Sequence, residues 1–497
     1  MRKTVTYLII LMLLAPSQGL AVQVAESMDV ESILKEKEIM VLSLDDCVRL
    51  ALANSFEVQV AKLDLYVAET ELLYSEAVFD TFLFGNIGYS EDKRQELSVF
   101  APDDDQTNVY SFGITKELPT GTEITANWSD TRTWSDTVFV SKNPAHNTEI
   151  SLEARQPVGK NSFGFVDRST ITLTKLAIEN ADLETVNRIE EHIANTIKGY
   201  VDLMSAKKLL KIFQDILEKA KKLYEVEKKN FDIGLKEKVD LYAAEANVAN
   251  RQAEAIIAEN NYKRTQENLK LLINIQESVE INPAEELKTY PVGRDLPQCL
   301  KEAFEYRRDY KIRKREVDIK GLDLRVKGNQ MWPEIDLILS MKMNGINGKF
   351  NKAAGKATVA DHAEYFAGIE FNMPIENSQA RSQYQRATYE KEKSLVSLKQ
   401  TERTVITEVV NTYNDTRSFG ASLKYTQQAV DLQSKKLAEE TKRFRQGRSK
   451  TKIIIDYQRD LLRAELENVE FIRDHRKSKV DLFRSMNVLL KEFEDLI

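Results

Sequence analysis

The residues in this sequence that could carry out chemistry do not form a catalytic or metal-binding group. The four histidines are scattered, and none stands at metal-ligand spacing to a cysteine or a paired carboxylate: His146, His192, His362 and His475. The sequence has no Gly-x-Ser-x-Gly nucleophile motif, no Walker phosphate loop and no Gly-x-Gly-x-x-Gly fingerprint. We therefore predict a protein that is not an enzyme and needs no cofactor or metal.

The two cysteines stand at matching places in two similar stretches. Cys47 lies in Leu44-x-x-Cys47-x-x-x-Ala51, and Cys299 lies in Leu296-x-x-Cys299-x-x-x-Ala303. Redox chemistry requires a close pair or a thiol of low pKa. A disulfide between the two is one interpretation, but we favour two small buried apolar residues.

Acids that alternate with apolar residues indicate a charged, water-facing surface. Ile150, Leu152 and Ala154 alternate with Glu149, Ser151 and Glu153, and similar alternation recurs near residues 110–128, 334–343 and 367–372. The acids on these polar faces are Glu123, Glu149, Glu153, Glu334, Asp336 and Glu370. Such strands fit a transmembrane barrel with lipid outside and water inside, or a soluble sandwich with one wet face. In a barrel these acids would line the lumen and favour cations.

Long helices must position these strands. Residues 159–282 contain no proline, and apolar residues recur there in steps of three, four or seven, which predicts a helix packed as a coiled coil. About 60 helical residues precede Gly234, which is roughly 90 Å at 1.5 Å per residue. Gly234 ends this helix in the sequence Phe231-Asp-Ile-Gly234, and Phe444-Arg-Gln-Gly447 forms a second elbow of the same spacing.

Two internal repeats are the simplest account of these twin elbows. We predict a signal peptide at 1–21, a polar leader at 22–43, a first repeat at 44–282, a linker at 283–295 and a second repeat at 296–497. Within the first repeat the expected elements are a helix at 44–79, strands at 81–157, and helices at 168–230 and 237–278. Within the second they are a helix at 299–331, strands at 334–374, and helices at 380–443 and 452–492.

The first 21 residues indicate export. Arg2 and Lys3 precede an apolar core that is too short to span a membrane, and a small-x-small cleavage site follows at Gly19-Leu-Ala21. The net charge is −7, the charges are interleaved along helices, and no basic patch suggests nucleic acid. Strands at the far end of long helices in an exported protein favour the membrane interpretation. Four to six strands cannot close a barrel alone, so several chains must share one.

Two further segments are predicted to be a turn and a loop. The turn Leu118-Pro-Thr-Gly121 either decorates the extracellular mouth or belongs to strands that widen the barrel, and we favour decoration. The segment 344–362 is rich in Gly, Lys and Ala, and we expect an exposed loop there.

The sequence resembles the TolC-like outer membrane efflux family. The resemblance is carried by the paired openings from Leu44 and Leu296, by the junctions Phe371-Asn-Met-Pro-Ile375 and Glu153-Ala-Arg-Gln-Pro157, and by the two elbows. It implies a mainly helical fold with β insertions: a homotrimer that forms one β-barrel in the outer membrane, continued by a long α-helical coiled-coil barrel in the periplasm. It also implies an exit duct for efflux or type I secretion, with an inner-membrane transporter and a periplasmic adaptor as partners.

The resemblance further implies a gate just after the elbows. Asp240 and Asp456 stand at or near family aspartate positions, and Phe444 replaces a tyrosine. Ser449 stands at the family's arginine position, with Arg448 beside it. A ring of charged side chains in a narrow pore is a common way to gate and select. The alternative is that both aspartates only stabilise helix N-termini through the helix dipole.

A periplasmic coiled-coil adaptor or structural spacer without a pore is the alternative function. It explains the helices and the signal peptide equally well. It does not explain the amphipathic strand blocks between long helices in both halves, so we favour the channel.

Overall fold

The computed structural model describes residues 38–94, 102, 104–137, 140–276, 278–289 and 293–491. The predicted signal peptide and most of the polar leader lie outside the described residues. The end of the leader forms strand β1 (Glu38–Leu42), which pairs in parallel with β6 (Val279–Pro283). None of the described helices is long and apolar enough to cross a membrane.

The first half of the chain places four strands between helices. Its helices are α1 (Leu44–Asn54), α2 (Phe56–Glu76), α3 (Phe165–Asp232) and α4 (Lys238–Ile273). Between α2 and α3 lie β2 (Thr81–Asp92), β3 (Asp105–Glu117), β4 (Glu123–Ser135) and β5 (Ala145–Pro157).

The second half has the same order with two strands instead of four. Its elements are α5 (Leu296–Tyr306), α6 (Arg308–Asn329), β7 (Glu334–Asn347), α7 (Phe350–Ala357), β8 (Ala363–Asn372), α8 (Ser378–Arg445) and α9 (Thr451–Ser485). Helices α3 and α8 each have 68 residues, which is about 100 Å at 1.5 Å per residue. Helix α7 lies inside segment 344–362, where the sequence predicted only an exposed loop.

Each predicted opening helix, at 44–79 and 299–331, is instead two helices separated by one extended residue. Ser55 has φ −60° and ψ 134°, and Arg307 has φ −58° and ψ 121°. The Ser55 hydroxyl donates to Glu57 Oε2 at 2.8 Å. The Arg307 guanidinium donates to Asp309 and to Glu408 of α8. These side-chain hydrogen bonds stabilise the break between the two helices. The apolar pattern of the sequence is continuous there and does not predict the break.

The other six described strands form one antiparallel sheet in the order β2-β3-β4-β5-β7-β8. The turn between β3 and β4 lies at the end of the sheet next to the helices, because Thr81, the first residue of β2, pairs with Lys116 near the end of β3. Arg168 of α3 donates to the Pro119 carbonyl at 2.6 Å. The expectation that the Leu118–Gly121 turn decorates the far mouth is therefore wrong.

Two glycines allow this turn to pack against the start of α3. Gly121 has φ +71° and Gly164 has φ +70°, a left-handed conformation that favours glycine. A Cβ on Gly121 would come within 2.6 Å of the Gly164 nitrogen. The backbones of the turn and of the helix start therefore come into direct contact at these two glycines.

The two cysteines lie in separate apolar clusters. Cys47 packs with Tyr200 and Leu269, whereas Cys299 packs with Val405 and Leu482. Both thiols are free, so the disulfide interpretation is wrong. Burial raises the pKa of Cys47 to about 12, which keeps this thiol neutral and unreactive.

A single buried carboxylate joins three parts of the helical body. Glu190 of α3 is fully buried. It accepts hydrogen bonds from the Leu489 N–H at 2.8 Å, from Asn487 Nδ2 at 2.9 Å and from Arg308 Nη1. Arg308 opens α6, and Asn487 and Leu489 follow α9, so Glu190 ties the first half of the chain to both ends of the second.

We expect Glu190→Ala to lower the free energy of unfolding by about 3–5 kcal/mol, because it leaves the partly buried Arg308 charge, the Asn487 amide and the Leu489 N–H without their acceptor. Chemical denaturation in detergent, followed by circular dichroism, measures this loss. Glu191→Ala is the matched control: Glu191 is exposed, lies 3.6 Å from Arg484, and should cost less than about 1 kcal/mol. Equal losses in the two variants would contradict the assignment.

Candidate functional site

The strand register places the six predicted lumen acids on one face of the sheet. Residues directly opposite each other in an antiparallel pair point to the same face. The pairs that carry this face across the sheet are Glu123 with Arg155, Thr125 with Glu153, Ser129 with Glu149, Pro157 with Asp336, Asp336 with Glu370, and Glu334 with Asn372. This polar face brings Glu123, Glu149, Glu153, Glu334, Asp336 and Glu370 together.

Arg155 neutralises part of this polar face. Its Nη1 lies 2.8 Å from Asp336 Oδ2, and its Nη2 lies 2.9 Å from Glu370 Oε2. Asp336 is buried, so it is the acceptor of an ion pair and does not present a free charge to water. Sequence reasoning missed Arg155, although its alternation with Glu149 and Glu153 was the signal that could have found it.

Acids still outnumber bases on the polar face. Glu117 stands directly opposite Glu123, and Glu364 stands opposite Lys342. Within the six strands the bases on this face are Arg155 and Lys342. The face therefore carries a net negative charge.

The opposite face is apolar and exposed in the single chain. Large apolar side chains on it include Leu83, Ile87, Phe112, Ile114, Leu152, Leu339, Ile369 and Phe371. In β7 the residues on this apolar face run without a charge from Ile335 to Met343, about 26 Å at 3.3 Å per residue. An apolar band of about this height is typical of strands that face lipid.

Each elbow is a glycine in the left-handed conformation that closes a long helix. Gly234 has φ +78° and Gly447 has φ +73°. The backbone bonds match as well: the Leu235 N–H donates to the Asn230 carbonyl at 2.8 Å, and the Arg448 N–H donates to the Arg443 carbonyl at 2.9 Å. A residue with a side chain would be strained at either glycine.

The two elbows meet through Lys236. Its Nζ lies 5.5 Å from the centroid of the Phe444 ring and 3.9 Å from Asp240 Oδ2. Lys236 thus contacts both an aromatic ring at the second elbow and an aspartate at the first. Phe444 has no hydroxyl with which to reach Asp240 directly, and the lysine bridges the two side chains.

A buried hydrogen bond next to the elbows joins the same two helix ends. Glu227 of α3 and Thr451, the first residue of α9, are both fully buried. Thr451 Oγ1 donates to Glu227 Oε1 at 2.9 Å. The end of the first long helix is therefore fixed to the beginning of the last one.

The predicted gate residues lie at this end of the helices. Asp240 is in the first turn of α4, and Asp456 is near the start of α9, 3.6 Å from Arg459. Arg448 is exposed. In a single chain each aspartate pairs with a cation close to it in sequence, Lys236 or Arg459.

The histidines do not come together. His146 bonds Asp130 in the sheet, His192 bonds the Leu272 carbonyl, and His475 is buried in α9. In the part of the chain that the structure describes, no group of three or more His, Cys, Asp or Glu side chains could hold a metal ion.

Comparisons with known proteins give one matching family and several solved structures of similar fold. A family model described as "Outer membrane efflux protein" matches residues 121–274 and 321–488. The CmeC outer membrane channel of Campylobacter jejuni is 15% identical, covers 91% of this chain and 89% of its own, and gives a TM-score of 0.65. No curated protein sequence matches the chain.

Two further outer membrane proteins have a similar fold. VceC, an outer membrane protein of Vibrio cholerae, is 15% identical, with 89% of this chain and 95% of that chain covered and a TM-score of 0.65. The open state of the MtrE outer membrane channel of Neisseria gonorrhoeae is 14% identical, with coverages of 89% and 88% and a TM-score of 0.65. Identities this low show the fold alone.

Replacing Lys236 with Gln should loosen the contact between the elbows. The cation–π contact and the partly exposed ion pair together contribute about 1 kcal/mol, so amide hydrogen exchange in residues 231–240 should be about fivefold faster. Lys238→Gln is the matched control, because Lys238 contacts only the ring of Tyr242 on its own helix, at 5.4 Å. Unchanged exchange in the Lys236 variant would show that Lys236 does not hold the elbows together.

Proposed function

This chain belongs to the outer membrane efflux protein family, and from this premise we propose that it is an outer membrane exit duct whose helices extend into the periplasm. One observation supports the proposal most directly. A sheet with one charged face and one apolar band is joined to helices about 100 Å long. As a member of a family of channels, the protein is not an enzyme.

The sheet supports a shared barrel. Strands β2 and β8 are its edges, and each pairs on one side only. Open edges are not tolerated in lipid, so β2 of one copy would pair with β8 of the next. In a trimer, three copies of six strands make eighteen, and barrels of 16–18 strands leave an aqueous channel. The polar face would line this channel, and the apolar face would contact lipid.

The helices support a duplicated chain. The two long helices have equal length, and both elbows end in a left-handed glycine. Each half opens with an 11-residue helix that carries a buried cysteine. We infer that the halves are two repeats, and that three copies of both would form a ring of helices below the barrel.

The energy for transport would come from elsewhere. The chain has no phosphate-binding motif, so a duct of this kind needs an energised inner-membrane transporter and a periplasmic adaptor that connects the two. Efflux or type I secretion would both use such an assembly. The adaptor or spacer interpretation loses support, because an apolar, exposed sheet face has no place in a soluble spacer.

We expect the purified protein to be a trimer in mild detergent and to form cation-selective channels in planar bilayers. The net negative polar face attracts cations, and salt should weaken the preference by screening. Replacing Glu123, Glu149 and Glu153 with Gln should reduce the cation-to-anion permeability ratio several-fold, whereas Glu286→Gln, in a loop outside the sheet, should not. A monomer that conducts, or anion preference at low salt, would contradict the proposal.

The elbow aspartates lead to a second prediction. Three copies would bring six carboxylates from Asp240 and Asp456 around one opening, where cations such as Arg448 of the same or a neighbouring copy could pair with them. The double variant Asp240→Ala/Asp456→Ala should therefore give a larger, more often open and less cation-selective pore in single-channel recordings. The control is Asp318→Ala/Asp431→Ala, away from the elbows. Unchanged conductance in a folded, trimeric double variant would mean that these aspartates only stabilise their helix ends.

A further inference from the structure

Helix α7, between β7 and β8, packs onto the apolar face of the sheet at the end farthest from the long helices. Two of its own residues, Ala353 and Ala357, face the sheet and are fully buried. Gly345 of β7 makes this close packing possible, because a Cβ there would lie 2.2 Å from the Ala353 carbonyl oxygen. Helix α7 is therefore docked on the sheet and is not a loose loop.

Helix α7 covers a polar cluster that would be costly in lipid. Asp130 of β4 is buried and accepts hydrogen bonds from Thr148 Oγ1 at 2.7 Å and from His146 Nδ1 at 2.8 Å. The Phe350 ring of α7 contacts the ring of His146, with centroids 5.9 Å apart, and that of Trp128, with centroids 6.1 Å apart. The helix thus marks the level at which the apolar band ends and polar groups begin.

The outward side of α7 is basic. Lys349, Lys352 and Lys356 are all exposed, and none of them forms an ion pair with another described residue. Helix α7 packs against β5 and β7, which lie inside the sheet, so these lysines are clear of the edges through which copies would join.

The position of these lysines identifies their partner. They stand just beyond the outward-facing apolar residues of β7, which run from Ile335 to Met343, and the headgroups of a bilayer lie just beyond its hydrocarbon core. A Lys side chain can bury its stem in apolar surface while its ammonium reaches the headgroup region. Three unpaired cations at this level complement phosphate groups in charge.

We propose that Lys349, Lys352 and Lys356 form a binding site for the phosphate-bearing headgroups of anionic lipid in the outer leaflet. The site rests on the proposed function, since it requires the apolar face to contact lipid. It would fix the height of the barrel in the membrane by adding attraction at one level of the bilayer.

Trp128, which packs against Phe350, can report on this site. The chain has three tryptophans, and replacing Trp134 and Trp332 with Phe leaves Trp128 alone. This variant is reconstituted into phosphatidylcholine nanodiscs that contain either brominated phosphatidylglycerol or, at the same mole fraction, brominated phosphatidylcholine. At low salt we expect quenching by the brominated phosphatidylglycerol to be about twofold stronger or more, and at about 1 M salt, where the Debye length is about 3 Å, the difference should vanish.

Replacing Lys349, Lys352 and Lys356 with Gln should make the two lipids quench equally. The matched control replaces three exposed lysines of α8, Lys393, Lys399 and Lys435, and should keep the preference. A preference that survives the α7 substitutions, or none in the parent protein, would overturn the proposal. Loss of the preference on adding glycerol phosphate at constant ionic strength would also overturn it, because the lysines would then bind free phosphate. If neither lipid quenches Trp128, the apolar face does not contact lipid, and the proposed function fails as well.

Discussion

The constraint on which the rest of the structure depends is the unpaired backbone along β2 and β8. Among the six described strands of the sheet, these two pair on one side only, and in the proposed barrel each backbone group left unpaired in hydrocarbon would cost several kcal/mol. In the proposed assembly, closure by further copies would remove this cost. Helices α2 and α6 lead almost directly into strands, and α3 and α8 follow almost directly from strands. Closure of the sheet by neighbouring copies would therefore also fix the positions of these helices. In the proposed assembly, the barrel cannot close without also arranging the helices in a ring.

Much of this architecture can be predicted from local signals. The period-two alternation in residues 110–154 and 334–372 gives the two faces of the sheet, because side chains of a strand alternate by geometry alone. The long helices follow from stretches without proline, and their ends follow from Gly234 and Gly447, which have the positive φ of a helix C-terminus. These features depend on residues close together in sequence.

The features that sequence reasoning missed depend on contacts between distant residues. Arg155 pairs with Asp336 and Glu370, about 200 residues later, and no local pattern predicts that those two acids are partly neutralised. Arg307 breaks a helix because it bonds Glu408 of α8. The position of the Leu118–Gly121 turn also differs from the prediction. It lies at the helical end of the sheet, because the pairing of β2 with β3 sets its place. The contact between Lys236 and the Phe444 ring is likewise not predictable from the sequence, because it forms only when the fold brings the two elbows together.

The Glu190 cluster also sets an order of events during synthesis. Its carboxylate accepts a hydrogen bond from Leu489, 299 residues further along the chain. A growing chain presents its N-terminal part first, so α3 is complete long before the groups that satisfy Glu190 exist. Until the residues that follow α9 have been made, the Glu190 carboxylate lacks its partners Asn487 and Leu489, so it must stay in water and the helical body cannot close around it. Closure of the helical body around Glu190 therefore requires both halves of the chain to have been made.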